Sequence, residues 1–505
     1  MTQILTTTDP RTGARSDTDI TATTDAELDD IVAAAAAAAA DIAGRGRDWR
    51  AGLLEAMADE LEADRAGLVE TAASETGLTD ARLNGELTRT TYQLRLFAEA
   101  VREGSFLEAA IDHAGDTPMG AQPDVRRMLL PLGPVAVFGS SNFPFAFSVP
   151  GGDTASALAA GNPVIAKAHS AHLLTSRASY RALRRGAEKV GAPAGTIGIV
   201  YGQQPGARLV ARAEIAAVGF TGSLGAASRL MEIIAERDTP IPFYGELQSV
   251  NPLLITAAAL EARSAEIASG LAVSVTGSAG QLCTKPGVAF VPAGEAGERF
   301  AADVVAAMTG VDAGVLLNDR VLSSFREAEK ELEAAPGVTS LLGSPDAAGD
   351  GFTVAPRVLR VDAGDVTPAH TAEAFGPLVL LVTYRDDAEL ERALAAVPDS
   401  LTVSTHAEPS DLAWLQGMLP TLEKRAGRLV YNGFPTGVRV GWAQHHGGPW
   451  PATNTIHTSV GITAIRRFLR PFAWQNAPEG LLPEELRDGY RGVPRRVDGA
   501  LEPAQ

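Results

Sequence analysis

A chain of 505 residues with one cysteine has little scope for thiol-based structure. One cysteine excludes an intramolecular disulfide and a zinc site built from several thiolates, and we expect no metal ion. Basic residues are scarce as well: 43 lysines and arginines face 61 aspartates and glutamates, which gives a formal net charge of -18. Such a surface repels the phosphates of nucleic acids and of anionic membranes, so neither is an expected partner.

Long apolar runs are missing too. The longest, the alanine block 33–40, is too short and too weakly hydrophobic to cross a membrane. The first residues, MTQILTTTDPRTG, lack the basic and apolar regions of a signal peptide. These absences predict a cytoplasmic protein.

What the chain does contain is an ordinary globular balance, with 45% hydrophobic and 21% charged residues. Its length favours two or three domains. Up to about residue 104, the apolar spacing follows the 3.6-residue period of a helix. It predicts helices over 25–41, 49–70 and 83–101.

Short apolar runs then alternate with helical segments, which is typical of βαβ units and of a parallel sheet covered on both faces. The first such section predicts strands at 135–138, 163–166, 198–201 and 216–220, and helices at 153–160, 176–190, 209–213 and 226–237. The second predicts strands at 253–256, 288–291, 379–384 and 401–405, and helices at 260–275, 301–308 and 323–333. The tail, 472–505, is expected to be an extended arm or partly disordered. The predicted fold class is α/β.

Cys283 is the first candidate for chemistry. A lone cysteine is often a small buried hydrophobe, but this one lies in the glycine-rich loop GSAGQLCTKPG. Glycines allow backbone N–H groups to approach a ligand closely. A reactive thiol also needs a lowered pKa or a nearby base. The loop therefore favours a nucleophile over a packing residue.

Two further side chains suit the same chemistry. Glu246, in PFYGELQSVNP, has apolar neighbours that predict a raised pKa and a role as general base, against the alternative of a surface glutamate beside a turn. Asn142, in FGSSNFP, follows a predicted strand and either forms a turn or donates its amide N–H to a developing oxyanion. The sequence leaves both alternatives for Asn142 open.

A cofactor site is indicated at the ends of two predicted strands. Lys167, in PVIAKAHSA, either is solvated at the strand end or faces the crevice where parallel α/β sheets bind ligands. The run FTGSLGAA, with Gly222 and Ser223, joins a strand to a helix start and can hold a phosphate at the helix N-terminus. This second signal is weak by itself, because it is not GxGxxG.

Taken in order along the chain, these segments resemble the aldehyde dehydrogenase family. FGSSNFP is similar to its asparagine motif, PVIAKAHS to its cofactor-lysine segment and FTGS to its cofactor turn. YGELQSVNP is similar to the general-base motif, GQLCTKPG to the nucleophile loop, and EAFGP, which contains Glu373 and Phe375, to the nicotinamide-ribose motif. The resemblance implies a Rossmann-like cofactor domain, an α/β catalytic domain and a small bridging element.

The resemblance also implies roles. Cys283 would attack an aldehyde carbon, Asn142 would hold the oxyanion, and Glu246 would activate the water that hydrolyses the thioester. Lys167 and Glu373 would bind ribose hydroxyls of a nicotinamide cofactor. The product would be a carboxylic acid.

Several positions depart from the usual family pattern. Ala227 stands where the cofactor turn usually has its second glycine, and Gln248 and Ser249 replace a double glycine in the base motif. Ser170 stands where NAD-preferring members often carry an acid. Without a carboxylate to repel a 2′-phosphate, NADP is the expected cofactor, and NAD remains acceptable.

These departures, together with the run HHGGPWPATNT, resemble the bacterial members that oxidise 2,5-dioxopentanoate to 2-oxoglutarate. Such a substrate needs a cation, and Arg439 is a candidate. The alternatives are an NADP-dependent medium- or long-chain aldehyde dehydrogenase, a thiol hydrolase pairing Cys283 with a histidine, and a non-catalytic binding relative. No histidine stands in a hydrolase-like sequence context, which argues against the hydrolase.

The domain boundaries expected from the resemblance are 1–113 and 131–246 for a discontinuous cofactor domain and 247–450 for the catalytic domain. The segments 114–130 and 451–505 would bridge subunits of a homodimer or homotetramer.

Overall fold

The computed structural model describes residues 3–343 and 351–504. Its N-terminal part has an antiparallel hairpin, a run of helices and a set of short strands: β1 (Ile4–Thr8), β2 (Arg15–Thr21), α1 (Asp25–Ala43), α2 (Arg47–Ala63), α3 (Arg65–Thr76), α4 (Asp80–Glu103), β3 (Ala110–Asp112), β4 (Gly115–Thr117), β5 (Gly120–Gln122) and β6 (Val125–Pro131). Thr24 caps α1, because its hydroxyl accepts from the backbone N–H of Glu27 and the Glu27 carboxylate accepts from the backbone N–H of Thr24. The helices predicted over 25–41 and 83–101 are confirmed.

The single helix predicted over 49–70 is wrong. The chain breaks at Asp64, whose backbone (φ −96°, ψ 8°) ends α2 and begins α3. The apolar period continues across the break because Leu61 and Leu68 both lie in the core, at 0% and 1% exposure. Periodicity alone therefore could not reveal the change of helix axis.

The first α/β section forms a five-stranded parallel sheet with strand order β11-β10-β7-β8-β9. Its elements are β7 (Val135–Phe138), α5 (Gly152–Ala160), β8 (Val164–Lys167), α6 (Leu173–Lys189), β9 (Ile197–Val200), α7 (Gln203–Ala211), β10 (Ala217–Thr221), α8 (Leu224–Ala235) and β11 (Phe243–Glu246). The order reverses between β7 and β10. At such a switch point the connections leave in opposite directions, so a crevice opens at the carboxyl ends of the strands.

The second section forms a seven-stranded sheet with strand order β15-β17-β18-β13-β12-β19-β20, in which only β15 runs antiparallel to its neighbour. Its elements are β12 (Leu253–Ile255), α9 (Ala257–Thr276), β13 (Val288–Pro292), α10 (Glu295–Thr309), β14 (Gly314–Val315), α11 (Asp319–Ala334), β15 (Thr339–Gly343), β16 (Thr353–Val354), β17 (Arg357–Asp362), β18 (Leu378–Tyr384), α12 (Asp387–Ala396), β19 (Ser400–His406), α13 (Leu412–Arg425) and β20 (Ala426–Tyr431). Together the two sheets confirm the predicted α/β class.

The C-terminal tail returns to the N-terminal strands. Its strands β21 (Leu469–Gln475), β22 (Arg495–Val497) and β23 (Ala500–Glu502) join β3 and β6 in a sheet of order β21-β6-β3-β22-β23. The buried Arg126 of β6 donates to the carbonyl of Leu486 and pairs with Asp124. Of the two alternatives for the tail, the extended arm is the one the structure shows through residue 504. The domain boundaries stay predictions.

In the residues that the structure describes, no helix combines the length and the apolar character needed to cross a bilayer.

Candidate active site

Cys283 lies in a loop after α9 that packs tightly against the segment carrying Glu373. A Cβ on Gly280, whose φ is 72°, would lie 2.2 Å from the backbone of Gly376, so this approach requires glycine. The side-chain amide of Asn251 donates to the carbonyl of Cys283 at 2.8 Å. The base motif therefore contributes an asparagine that fixes the nucleophile loop, a role the sequence did not reveal.

Glu246 is the last residue of β11 and is 2% exposed. Its Oε1 lies 2.9 Å from Nε2 of His446, and its Oε2 accepts a hydrogen bond from the hydroxyl of Ser459 at 2.6 Å. A carboxylate only accepts, so the Nε2–H of His446 is the donor. Both carboxylate oxygens are thus held.

The raised pKa predicted for Glu246 is wrong. Burial raises the pKa of this carboxyl, but the charge and hydrogen bond of His446, the hydroxyl of Ser459 and hydrogen bonding with Cys283 together outweigh it, and the pKa lies below its ordinary value. Apolar neighbours in the sequence indicate desolvation only. They carry no information about donors that arrive from a distant loop.

His446 also lies beside the nucleophile, with Nε2 3.6 Å from Sγ of Cys283. The pKa of the Cys283 thiol is raised well above its ordinary value, first by burial and then by the charge and hydrogen bonding of Glu246 and the charge of Glu373. The sequence context had given no indication that a histidine lies beside Cys283. Cysteine, histidine and glutamate form one contiguous cluster.

The loop that carries His446 is tied directly to β11. The backbone N–H of Leu247 donates to the carbonyl of Ala452 at 2.9 Å, and Glu246 forms an antiparallel bridge with Thr453. The backbone N–H of His446 donates to the hydroxyl of Thr458 at 2.8 Å. The run HHGGPWPATNT was the only sequence signal for this loop, and it pointed to a subgroup rather than to a role for the histidine.

Asn142 lies in the loop after β7, next to the nucleophile loop. It is 8% exposed, and its Nδ2 donates one hydrogen bond to the carbonyl of Gln281 at 2.8 Å. The amide therefore contacts the loop that holds Cys283, and the choice between a turn residue and an oxyanion donor stays a prediction. An amide nitrogen has two N–H groups, so one stays available to an oxyanion.

The other end of the site lies at the switch point between β7 and β10. Gly222 and Ser223 follow β10, and the hydroxyl of Ser223 caps α8 by accepting from Ala226 at 3.4 Å. At Gly225, a Cβ would meet no atom within 4 Å among the described residues. An open helix N-terminus at the carboxyl end of a parallel strand suits a phosphate group.

Lys167 ends β8, in the same crevice. Burial and the charge of Arg320 lower its pKa to about 8, and no carboxylate of residues 3–343 or 351–504 pairs with it. His169 feels the charges of Lys167 and Arg320, and its pKa is lowered, mainly by burial. Ser170 is exposed beside them. A cationic, open crevice of this kind fits the phosphates and ribose of a dinucleotide. The sequence did not predict Arg320, which lies on α11.

Glu373 and Phe375 lie half-buried beside the nucleophile loop. Burial raises the pKa of Glu373 to about 7, against the opposing effects of a hydrogen bond from the Ser249 backbone and of the charge of Lys285. The Lys285 ammonium is buried and donates to the carbonyl of Leu378 at 2.8 Å. Glu373 is thus close enough to Cys283 for its charge to act on the thiol, and its ribose-binding role stays a prediction.

The same cluster could also hold a metal ion. Glu246, Cys283 and His446 each offer one ligand atom, and these atoms lie within 4.8 Å of one another. Such a set suits a cation that accepts nitrogen, oxygen and sulfur. The expectation of a metal-free site stays a prediction.

Comparison with known proteins gives consistent matches. A family model described as the aldehyde dehydrogenase family matches residues 2–444. The chain is 45% identical over 461 residues to alpha-ketoglutaric semialdehyde dehydrogenase 2 of Azospirillum brasilense, covering 90% of this chain and 87% of that protein. It is 39% identical over 458 residues to alpha-ketoglutaric semialdehyde dehydrogenase of Acinetobacter baylyi, with the same coverage of 90% and 87%. The crystal structure of an NADP-dependent enzyme of E. coli superposes with a TM-score of 0.80 at 21% identity, covering 94% of each chain.

Proposed function

The chain belongs to the aldehyde dehydrogenase family, and from this we propose that it oxidises 2,5-dioxopentanoate to 2-oxoglutarate with NADP. As a member of this family the chain is an oxidoreductase. The observation that carries the proposed chemistry is the contact of Cys283 with His446 and Glu246 beside the crevice of the parallel sheet. The substrate is proposed from the two semialdehyde dehydrogenase relatives, at 45% and 39% identity.

The first step is attack by Cys283. The thiol proton is lost to solvent, so that Glu246 stays ionised for the later hydrolysis. The Nε2–H of His446, which donates to Oε1 of Glu246, belongs to a nitrogen 3.6 Å from the sulfur and is shared with the thiolate once it forms. The sulfur forms a bond to the aldehyde carbon, and the carbonyl electron pair moves to oxygen. Asn142 and the backbone N–H of Cys283 hold the resulting oxyanion.

The crevice residues are proposed to hold the cofactor. Gly222 and Ser223 place the N-terminus of α8 toward its phosphates, and Lys167 and Glu373 bind its ribose hydroxyls. A bound nicotinamide would supply the hydride acceptor, and loss of a hydride from the substrate carbon would leave a thioester on Cys283.

Hydrolysis of the thioester then needs a base for water. Glu246 is ionised at neutral pH, because its pKa is low, and it receives the water proton as the hydroxyl oxygen attacks the thioester carbon. The carbon–sulfur bond breaks, and the thiolate leaves stabilised by His446. Glu246 then passes its proton to the thiolate, which restores the thiol, and a carboxylic acid and the free enzyme result.

The charges at the crevice support NADP over NAD, because two of its side chains are cationic and a third is neutral. The positive charge of Arg320 acts on Lys167 and lowers its pKa. Ser170, three residues after Lys167, is exposed and adds no negative charge. A 2′-phosphate placed there would gain charge-assisted hydrogen bonds. The adenosine ribose of NAD, in contrast, would find a serine at position 170 and no carboxylate there to accept hydrogen bonds from its two hydroxyls.

A substrate panel tests the proposed function. The purified enzyme is assayed with 2,5-dioxopentanoate, succinate semialdehyde, pentanal and decanal, each with NAD and NADP, and ranked by kcat/KM. We expect 2,5-dioxopentanoate with NADP to rank first. A higher kcat/KM for decanal would support the medium- or long-chain alternative instead.

A further inference from the structure

Arg89, on α4, is a partly buried arginine that forms no ion pair within residues 3–343 and 351–504. Its Nε donates to the carbonyl of Val438 at 3.2 Å. Neither Nη1 nor Nη2 has a hydrogen-bond partner in residues 3–343 and 351–504, and both atoms are buried. Burying guanidinium N–H groups without acceptors is unfavourable. These two nitrogens therefore indicate a binding position, at which a ligand would accept their hydrogen bonds.

A short series of contacts links Arg89 to the nucleophile. Its guanidinium carbon lies 4.9 Å from the ring centroid of Phe147, and that ring lies 6.3 Å from the ring of His446. His446 in turn contacts Cys283. Burial lowers the pKa of Arg89, while the charges of Cys283 and Glu246 are close enough to oppose this. Arg89 thus belongs to the surroundings of the reacting sulfur.

The charge of the nearby Glu86 opposes the effect of burial on the pKa of Arg89, but no ion pair joins the two side chains in the part of the chain that the structure describes. Glu86, one turn earlier on α4, pairs with Arg82 at 2.5 Å through Oε2. Its Oε1 accepts from the backbone N–H groups of Phe145 and Ala146, both at 2.8 Å. Both oxygens of Glu86 therefore already have partners. The outer edge of the Arg89 guanidinium, formed by Nη1 and Nη2, is left available to another group.

We propose that Nη1 and Nη2 of Arg89 bind the carboxylate of the aldehyde substrate, at the end opposite the carbon that Cys283 attacks. This inference rests on the proposed function, because a carboxylated aldehyde is what brings an anion to this place. A guanidinium offers two parallel N–H groups that match the two oxygens of a carboxylate. Binding would both satisfy the buried donors and orient the aldehyde toward the sulfur.

Two other arginines are rivals for this role. Arg439, the candidate from the sequence, is exposed and forms no hydrogen bond or ion pair with the described residues. Arg428 on β20 feels the charge of Cys283, but its Nη2 already donates to the carbonyl of Pro435 at 2.8 Å. Of these three arginines, Arg89 is the one that combines two terminal nitrogens unpartnered within the described residues with a position beside Cys283.

Paired substrates give the first test. Arg89→Met is compared with wild type on 2,5-dioxopentanoate and on pentanal, which has the same chain length without the carboxylate. We expect kcat/KM to fall by at least roughly 10-fold for the anion and to change little for pentanal. Arg89→Lys should recover part of the loss. The control is Arg95→Met on the same helix, a half-exposed arginine paired with Asp59 at 2.8 Å, which should affect neither substrate.

Protection of Cys283 gives a second test that does not depend on turnover. Iodoacetamide alkylates the single thiol, and 2-oxoglutarate should slow this in wild type and in Arg95→Met but not in Arg89→Met. Equal losses on both aldehydes with unchanged protection would overturn the inference, as would a selective loss in Arg428→Met or Arg439→Met instead. If wild type does not favour 2,5-dioxopentanoate while Arg89→Met still loses protection, the carboxylate site stands and the proposed substrate is wrong.

Discussion

Glu246 and His446 share a hydrogen bond of 2.9 Å between Oε1 and Nε2, and their side chains are 2% and 1% exposed. The carboxylate proposed as the general base is therefore not isolated. Its proton affinity is set by a histidine that also lies 3.6 Å from Cys283, so a change at one member of this cluster alters the other two.

Replacing the nucleophile should separate binding from chemistry. Cys283→Ala is expected to abolish aldehyde oxidation and to retain NADP binding, because no other cysteine exists to replace it. NADPH formation and calorimetric NADP binding measure the two properties. Residual turnover within about 10-fold of wild type, a barrier change of only ~1.4 kcal/mol, would remove Cys283 from the nucleophile role.

Replacing the proposed base should separate thioester formation from thioester hydrolysis. Glu246→Gln is expected to slow thioester hydrolysis by roughly 10²–10⁴-fold, because a base for water is lost. Thiolate formation should survive, since the substitution also removes a negative charge that raises the thiol pKa. Rapid-quench measurements should then show a burst of NADPH followed by slow turnover. A uniformly slow first turnover would mean that Glu246 is needed to activate the thiol.

His446→Ala should act on the first turnover as well. The variant loses the N–H that faces the sulfur, and removing one such donor typically costs about 10²–10³-fold. His445→Ala is the matched control, because no hydrogen bond joins this neighbouring ring to Cys283 or Glu246 in the part of the chain that the structure describes, and it should leave the burst unchanged. Stopped-flow NADPH fluorescence measures the burst rate. Equal effects of the two substitutions would assign His446 a structural role only.

The pH dependence of alkylation reports the thiol directly. The pKa of Cys283 is raised by burial and by the charges of Glu246 and Glu373, so the thiol is protonated at neutral pH. The rate with iodoacetamide should rise roughly tenfold per pH unit below that pKa. Glu246→Gln lowers the pKa and should therefore react faster than wild type at pH 7. A slower reaction of this variant would contradict the electrostatic origin of the shift.

Cofactor choice should depend on the cations of the crevice. We expect a higher kcat/KM with NADP than with NAD, and Ser170→Glu should reverse or flatten this preference by placing a negative charge against the 2′-phosphate. Arg320→Met should lower kcat/KM for NADP and leave the value for NAD nearly unchanged. A wild-type preference for NAD of about tenfold or more, ~1.4 kcal/mol, would show that another residue reads the ribose.

The sequence predicted what is local and missed what is distant. Cys283 was recognisable because its glycine-rich loop is contiguous, and the buried strands because each is a short apolar run between turns. His446 was not recognisable from the sequence, because it lies 163 residues from Cys283 and 200 from Glu246 along the chain. No local sequence pattern indicates its contacts with these two residues. Arg89 was missed for the same reason: on its helix it is one polar residue among several, and only packing leaves it without an acid.

The solitary thiol has a consequence for oxidative damage. A cysteine oxidised to a sulfenic acid is commonly rescued by a second thiol that closes a disulfide, and this chain has no second thiol. Recovery must come from an external small-molecule thiol that reaches a buried sulfur. The single cysteine is also useful experimentally. Titration with a thiol reagent counts the reactive sites directly, and a fluorophore attached to the thiol is located at Cys283 without mutagenesis.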